Sequence, residues 1–371
     1  MDHYRKLLDA IKLERETEME KAIEEIKNTS AVEREKEGKA VLGLKGTYIG
    51  MEIGGQYLVK FGRKKIIETE ISVGEVVLIS LKDPLKSDLY GTVVEKTKRS
   101  LTVALNTFPP KWVLKSNVRI DLFFNDITFK RMEKAIKEVM NAKGRLSTLR
   151  DIMLNKVKPS PHMNYPLFNF FDEKLNDYQK ECVSLSLGSK DIFLIHGPPG
   201  TGKTRTLTEI IIQEAMKGNK ILATAESNIA ADNILANLVK YKGLKVVRVG
   251  HPSRIEEELK QHTLSFLAEN EPDYSTVKLL REEALNLSKK RDNFLKPVPQ
   301  FRRGLSDEEI LKLSKKRKSV RGLSKNVIHS MAKWIEYNEK VQKLYDEAKK
   351  LEDKIIKRIL ERSDVIVGTN S

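Results

Sequence analysis

The chain of 371 residues carries 68 Lys and Arg against 52 Asp and Glu, a formal net charge of +16, with 32% charged and 40% hydrophobic residues. That length exceeds one ordinary domain and predicts two or three, and no apolar run is long enough for a membrane-spanning helix. A single cysteine, Cys182, excludes an internal disulfide framework and fits a reducing cytoplasm, six scattered histidines offer no metal-ligand spacing, and no G-x-S-x-G motif supports a nucleophilic hydrolase.

The N-terminus, "MDHYRKLLDA", lacks the apolar core of a signal peptide. Residues 2–36 are highly charged, with Tyr4, Leu7, Leu8, Ile11, Met19, Ile23 and Ile26 near helical spacing, so a long amphipathic helix is predicted, ended by Gly38. The texture then changes. "GEVVLIS", "YGTVVEK" and "SLTVALN" are rich in β-branched residues and separated by turn signals, as in successive strands of a small barrel. Helical periodicity returns from about Thr128. Helices bracketing a barrel predict a stalk-mounted β-barrel over residues 1–158, the barrel itself at about 39–125. The prolines of "KPSPHMNYPLF" mark a boundary.

Beyond it, strands and helices alternate. "IFLIH" has the apolar run of a buried parallel strand. It leads into "GPPGTGKT", where Gly197 to Thr204 fits the phosphate-loop pattern G-x-x-x-x-G-K-[ST]. Gly197, Gly200 and Gly202 permit the tight path that turns successive N–H groups toward phosphate oxygens, and Pro198 and Pro199 stiffen it. The pattern expects Lys203 to reach the β- and γ-phosphates and the Thr204 hydroxyl to bind Mg²⁺, with ATP as nucleotide. The helix "KTRTLTEIIIQEAMKG" begins at the phosphates and presents its positive dipole end. With Thr201 and Arg205, these residues form the candidate nucleotide site.

"GNKILATAES", the helix "NIAADNILANLVKY" and "GLKVVRVG" continue the pattern of a parallel sheet. A charged helical stretch, residues 259–360, then interrupts it before the strand "SDVIVGTNS" closes the chain. The stretch is therefore expected to be an insertion in an α/β domain of residues 159–258 and 361–371. From Ser275 to Arg362 there are 24 basic and 13 acidic residues, a net charge of +11. The densest part holds Lys315, Lys316, Arg317, Lys318 and Arg321, a field suited to a polyanion such as DNA or RNA, or else a solvated helix surface.

"LNDYQKECV", "GPPGTGKT", "ATAESNIAADNIL", "VVRVGHPSRI" and "DVIVGTNS" occur in the order of the front-half motifs of superfamily 1B helicases of the up-frameshift type. The chain resembles that family, nearest its immunoglobulin mu-binding protein branch, over nearly all its length. "GPPGTGKT" is shared with ring-forming ATPases, whereas "SNIAADN" followed by "RVGHPSR" is far more specific. The resemblance implies a RecA-like P-loop domain, and hence a multidomain α/β protein with barrel and helical insertion. It also implies ATP-driven 5′ to 3′ movement on single-stranded DNA or RNA. Gln179 is expected to pair with adenine N6 and N7, and Ser227 and Asn228 to contact the nucleic-acid backbone. A helix cap is the plainer role for Ser227 and Asn228, and both roles are compatible. Thr369 and Asn370 end another strand and could line the same track.

Two departures stand out. Glu226 occupies a position where the family commonly has Pro. The family's Asp-Glu pair after an apolar strand and its second RecA-like domain have no counterpart. Asp307–Glu308 and Asp346–Glu347 sit in charged helical sequence and do not qualify. The expectation is the N-terminal half of a helicase, completed by a C-terminal half as a separate chain or further segment. The alternative is a module that binds ATP and nucleic acid without turnover.

Overall fold

The computed structural model describes residues 2–51, 55–114, 117–163, 165–166, 169–250, 257–320 and 322–370. The chain divides into two compact units, one holding residues 56–264 with the N-terminal segment and the last strand, the other essentially residues 265–361.

In the first unit, α1 (Asp2–Asn28) is followed by α2 (Ala31–Lys36). Ser30 and Glu33 cap α2 reciprocally, at 3.3 and 3.0 Å. Gly38 then turns with φ +75°, and a Cβ there would lie 2.8 Å from the backbone nitrogen of Glu70. Only glycine fits that turn. Six strands follow: β1 (Ala40–Met51), β2 (Tyr57–Gly62), β3 (Val76–Ser80), β4 (Tyr90–Lys96), β5 (Ser100–Leu105) and β6 (Val118–Leu122). They close into an antiparallel barrel in the order β1-β2-β5-β4-β3-β6, with Ala40 opposite Asp121 in the closing pair. Closure leaves no sheet edge exposed. Val41, Leu44, Phe61, Val77, Val103 and Ile120 fill the interior. Asp121 is buried and accepts from Arg34 of α2 at 3.0 Å and from Arg119 at 2.5 and 2.6 Å, so the entry helix is keyed to the barrel wall. After the barrel come α3 (Asp126–Met140) and α4 (Arg145–Met153). Arg15 of α1 bonds Asp126 at 2.6 Å, pairing the helices on either side of the barrel in sequence.

The α/β part comprises α5 (Asp177–Leu187), α6 (Lys203–Met216), β7 (Ile221–Ala225), α7 (Asn228–Leu238), β8 (Val246–Arg248), α8 (Glu257–Lys260) and β9 (Val365–Thr369). The parallel sheet runs β7-β9-β8, with Ile221 and Val246 both in register with Val365. The last strand thus lies between two strands that precede it by more than a hundred residues. Ile211, Ile212, Ala231 and Leu235 pack with Val365 and Val367 to form its core.

One expectation is corrected. The segment "IFLIH" forms no strand: residues 192–196 pair with no described strand, and Leu194 is 85% exposed. A parallel strand exists only through hydrogen bonds to a neighbour. The sheet ends at β7, and no described strand flanks the phosphate loop.

The second unit is helical, with α9 (Leu264–Glu269) at its start, then α10 (Tyr274–Arg291), α11 (Pro299–Arg302), α12 (Asp307–Lys315) and most of α13 (Lys325–Arg362). Ile310, Ile328, Met331, Ala332 and Ile335 form its core. Arg281 reaches buried Glu352 at 2.8 Å, and Arg358 bonds Glu271 at 3.1 Å and Asp273 at 2.8 Å.

Candidate nucleotide and nucleic-acid site

The phosphate loop enters α6 through Gly202, which caps the helix in the left-handed region at φ +81°. A Cβ at Gly202 would lie 2.5 Å from Nε2 of Gln179. Close approach and backbone angle both demand glycine there. Lys203 Nζ donates to the carbonyls of Gly197 (2.5 Å) and Pro198 (2.8 Å), and Thr201 Oγ1 also donates to Pro198 at 2.8 Å. The lysine therefore folds over its own loop, and Lys203, Thr204 and Arg205 are all exposed in the first turn of α6. An accessible ammonium, a hydroxyl and free N–H groups at a helix start fit a triphosphate with its Mg²⁺.

Gln179 is engaged on both sides. Its Oε1 accepts from Asn176 N at 3.0 Å, completing the capping box of α5, and its Nε2 donates to the carbonyl of Thr201 at 3.1 Å. One N–H and one lone pair remain, the number that a bidentate contact with adenine uses. Three residues not singled out from the sequence complete the surroundings. Glu209, almost fully buried, accepts from the backbone N–H groups of Phe171 and Asp172, each at 3.0 Å, and so staples that segment to α6. Asp172 in turn takes both Nε and Nη2 of Arg205, whose guanidinium holds the carboxyl below its ordinary value. Lys203, Thr204, Arg205, Asp172 and Tyr241 line one open cleft of about 810 Å³.

The strand ends opposite carry the other candidates. Ser227 caps α7, its hydroxyl accepting from Ala230 N at 3.2 Å, and exposed Glu226 precedes it. Asn370 N donates to the Ala225 carbonyl at 2.9 Å, so Thr369 and Asn370 end β9 beside Ser227 and Asn228. Arg248 of β8 is fully buried; its Nε donates to Asp232 and its Nη2 to the side-chain oxygen of Asn228, both at 2.9 Å. The asparagine amide is thereby aimed, and a Cβ on Gly74 of the barrel would lie 3.3 Å from its nitrogen. A cleft of about 850 Å³ runs here, with Ser72, Lys96 and Lys98 from the barrel and Ser227, Asn228 and Ile229 from α7. An arginine inside the apolar run "KVVRVG" was the sequence signal for Arg248. Asp172 and Glu209 had none, since their partners lie more than thirty residues away.

In the second unit, Lys315 ends α12, Lys316 is its C-cap, and Arg317 follows at φ +49°. With Lys318, all are exposed. Arg321 and residues 251–256 of the motif "VVRVGHPSRI" lie outside the described residues. Asp307 and Glu308 occupy the first turn of α12, and Asp346 and Glu347 the middle of α13, so neither pair stands at a strand end.

A glycine-cornered loop capping a helix on the flank of a parallel sheet defines a P-loop domain. Residues 174–371 match the family described as AAA domain, and the chain belongs to it. It is 47% identical over its whole length to an uncharacterized ATP-dependent helicase of Methanocaldococcus jannaschii, covering 55% of that protein. It is 31% identical to the DNA-binding protein SMUBP-2 of Mus musculus, over 81% of this chain and 32% of the relative. It is also 33% identical to the ATP-dependent helicase upf1 of Schizosaccharomyces pombe, over 46% of this chain and 20% of the relative. The expected kinship with up-frameshift-type helicases therefore holds. The chain spans about half the length, or less, of the curated relatives it matches.

Proposed function

We propose that this chain is the nucleotide- and strand-gripping half of a cytoplasmic ATP-dependent superfamily 1B helicase, RecA-like in its α/β part. It moves 5′ to 3′ along single-stranded DNA or RNA. One observation carries this: the phosphate loop and the Ser227–Asn228 helix start belong to a single α/β unit, and the latter borders a cleft that also holds Lys96 and Lys98. When ATP is bound, Lys203 neutralises γ-phosphate charge, Thr204 supplies a Mg²⁺ ligand and Gln179 reads the base. Mg²⁺ contributes charge neutralisation across the phosphates. Ser227, Asn228, Thr369 and Asn370 hold the strand's backbone, Arg248 keeping Asn228 oriented, and Lys315, Lys316, Arg317 and Lys318 add phosphate contacts. Water activation and an arginine for the transferred phosphoryl group come from a C-terminal half that carries a second RecA-like domain.

A second reading, binding of ATP and nucleic acid without turnover, is favoured by the positions of Asp307–Glu308 and Asp346–Glu347, both on helices of the second unit. Steady-state ATPase with and without single-stranded nucleic acid separates the two. Stimulated turnover once the C-terminal half is supplied supports the helicase; none in that complex supports the passive binder.

A further inference from the structure

Lys203 and Thr204 account for the phosphates and their metal, which leaves Arg205, the next residue of α6, without a task. It is nevertheless held in place. Nε and Nη2, one edge of its guanidinium, fork onto the two carboxylate oxygens of Asp172. The Asp172 side chain is only 17% exposed, whereas that of Arg205 is 41% exposed and lines the cleft shared with Lys203, Thr204 and Tyr241. Asp172 is itself fastened. Its backbone N–H donates to buried Glu209 at 3.0 Å, and its Oδ1 accepts from Lys174 N at 3.1 Å. Gln213, one turn beyond Glu209 on α6, donates to the Asn169 carbonyl at 3.0 Å and to Glu209 at 2.8 Å. A lone surface ion pair contributes little, but a carboxylate anchored in this way fixes the plane of a guanidinium through a two-point fork. The Gln179 amide lies against Gly202, where a Cβ would be 2.5 Å from its Nε2. Arg205 follows Gly202 by three residues, on the same face of α6 and about 4.5 Å farther along its axis. A flat group whose edge meets Gln179 therefore has the Arg205 plane within stacking reach.

We propose that Arg205, oriented by Asp172, is a stacking platform for the nucleobase of the bound triphosphate. The work of base recognition is then divided. Gln179 meets the base edge, whose donors and acceptors differ between bases, and so sets identity. Arg205 meets the face, which every base presents, and so supplies affinity with little regard to identity. Asp172 touches no nucleotide and acts as a positioning residue, through the plane it imposes on the guanidinium. The planar group is essential to this role, because a lysine ammonium is a point charge that does not stack. This deepens the proposed function, and it rests on the reading of Gly197–Thr204 as a nucleotide loop.

The test is calorimetry of the full chain with ATP, GTP and inorganic tripolyphosphate, each with Mg²⁺. Arg205→Ala and Arg205→Lys should both weaken ATP and GTP by about tenfold, leaving the ratio of the two affinities and the affinity for tripolyphosphate unchanged. Asp172→Asn, which keeps the shape and removes the charge, should weaken ATP and GTP in the same ratio by a smaller factor. Gln179→Ala should instead change the ratio of ATP to GTP. Native ATP affinity in Arg205→Lys, or an equal loss for tripolyphosphate in Arg205→Ala, overturns the proposal by making Arg205 a phosphate contact. Native ATP affinity in Arg205→Ala overturns it by making the pair a structural clasp. Loss of folding in Arg205→Ala leaves the decision to Arg205→Lys, which retains the charge beside Asp172. A native chain that binds neither ATP nor tripolyphosphate removes the nucleotide-loop reading, and the platform with it.

Discussion

At the loop, a single charged side chain stands at the start of α6. Lys203 is an accessible ammonium beside the loop carbonyls it caps. Lys203→Ala removes a charge-assisted contact of about 1.5–3 kcal/mol, so ATP binding should weaken by about 10- to 150-fold. Equal affinities by calorimetry would mean that the loop does not hold the nucleotide. Arg248 is buried with Asp232 and Asn228, and Arg248→Met removes one partner of a buried pair, a change that costs about 3–5 kcal/mol. The urea midpoint of the isolated chain should drop accordingly, whereas a shift below experimental scatter would show that the pair is dispensable. Asp191 gives a pH signature. The backbone N–H of Ser160 and the guanidinium of Arg145 hold its carboxyl at about 2, against an ordinary 3.8. A depressed folded value stabilises above the ordinary one and is lost as pH falls toward the depressed one. The stability gap between the native chain and Asp191→Asn should thus be full near neutrality and close between about pH 4 and pH 2. A gap that persists at pH 2 would refute it.

Elements turn these groups into surfaces. α12 begins with Ser306 and three acidic residues and ends with Lys315, a charge order that complements its dipole. The capping explains Asp307 and Glu308 without any catalytic duty. It also leaves Lys315, Lys316, Arg317 and Lys318 projecting from the helix end and the turn after it. If they meet phosphates, replacing all four by Gln should flatten the salt dependence of single-strand binding by up to ~0.7 in slope per lost contact. An identical slope would assign the cluster to a solvated surface. β9 shows the converse dependence on context. Its apolar run is legible in the sequence, but its place between β7 and β8 is set by pairing with strands far upstream.

For the molecule as a whole, the described residues offer candidate phosphate and strand contacts, while Asp307–Glu308 and Asp346–Glu347 stand on helices rather than at a strand end. Loss of an arginine that stabilises the transferred phosphoryl group alone costs a factor of ~10³ to 10⁵. The isolated chain is therefore expected to bind ATP measurably, if weakly, while showing almost no ATPase or unwinding, and to gain both with the C-terminal half. Robust stimulated ATPase from the 371 residues alone would contradict this and return attention to Asp307–Glu308 and Asp346–Glu347.

Local chemistry was enough for the phosphate loop, because glycine at left-handed angles and a lysine at fixed spacing act within a few residues of one another. The same holds for the barrel strands and the long helices, whose periodicities of two and 3.6 repeat over short windows. Long-range facts had no such trace. Asp172 lines the cleft beside the phosphate loop, where Glu209 pins its backbone to α6, and Asn228 takes its direction from Arg248 on β8. Ile192–His196 marks the limit most clearly. Its hydrophobicity predicts a strand, yet a strand is a relation between two chains of hydrogen-bonding groups, and among the described residues the second is not there.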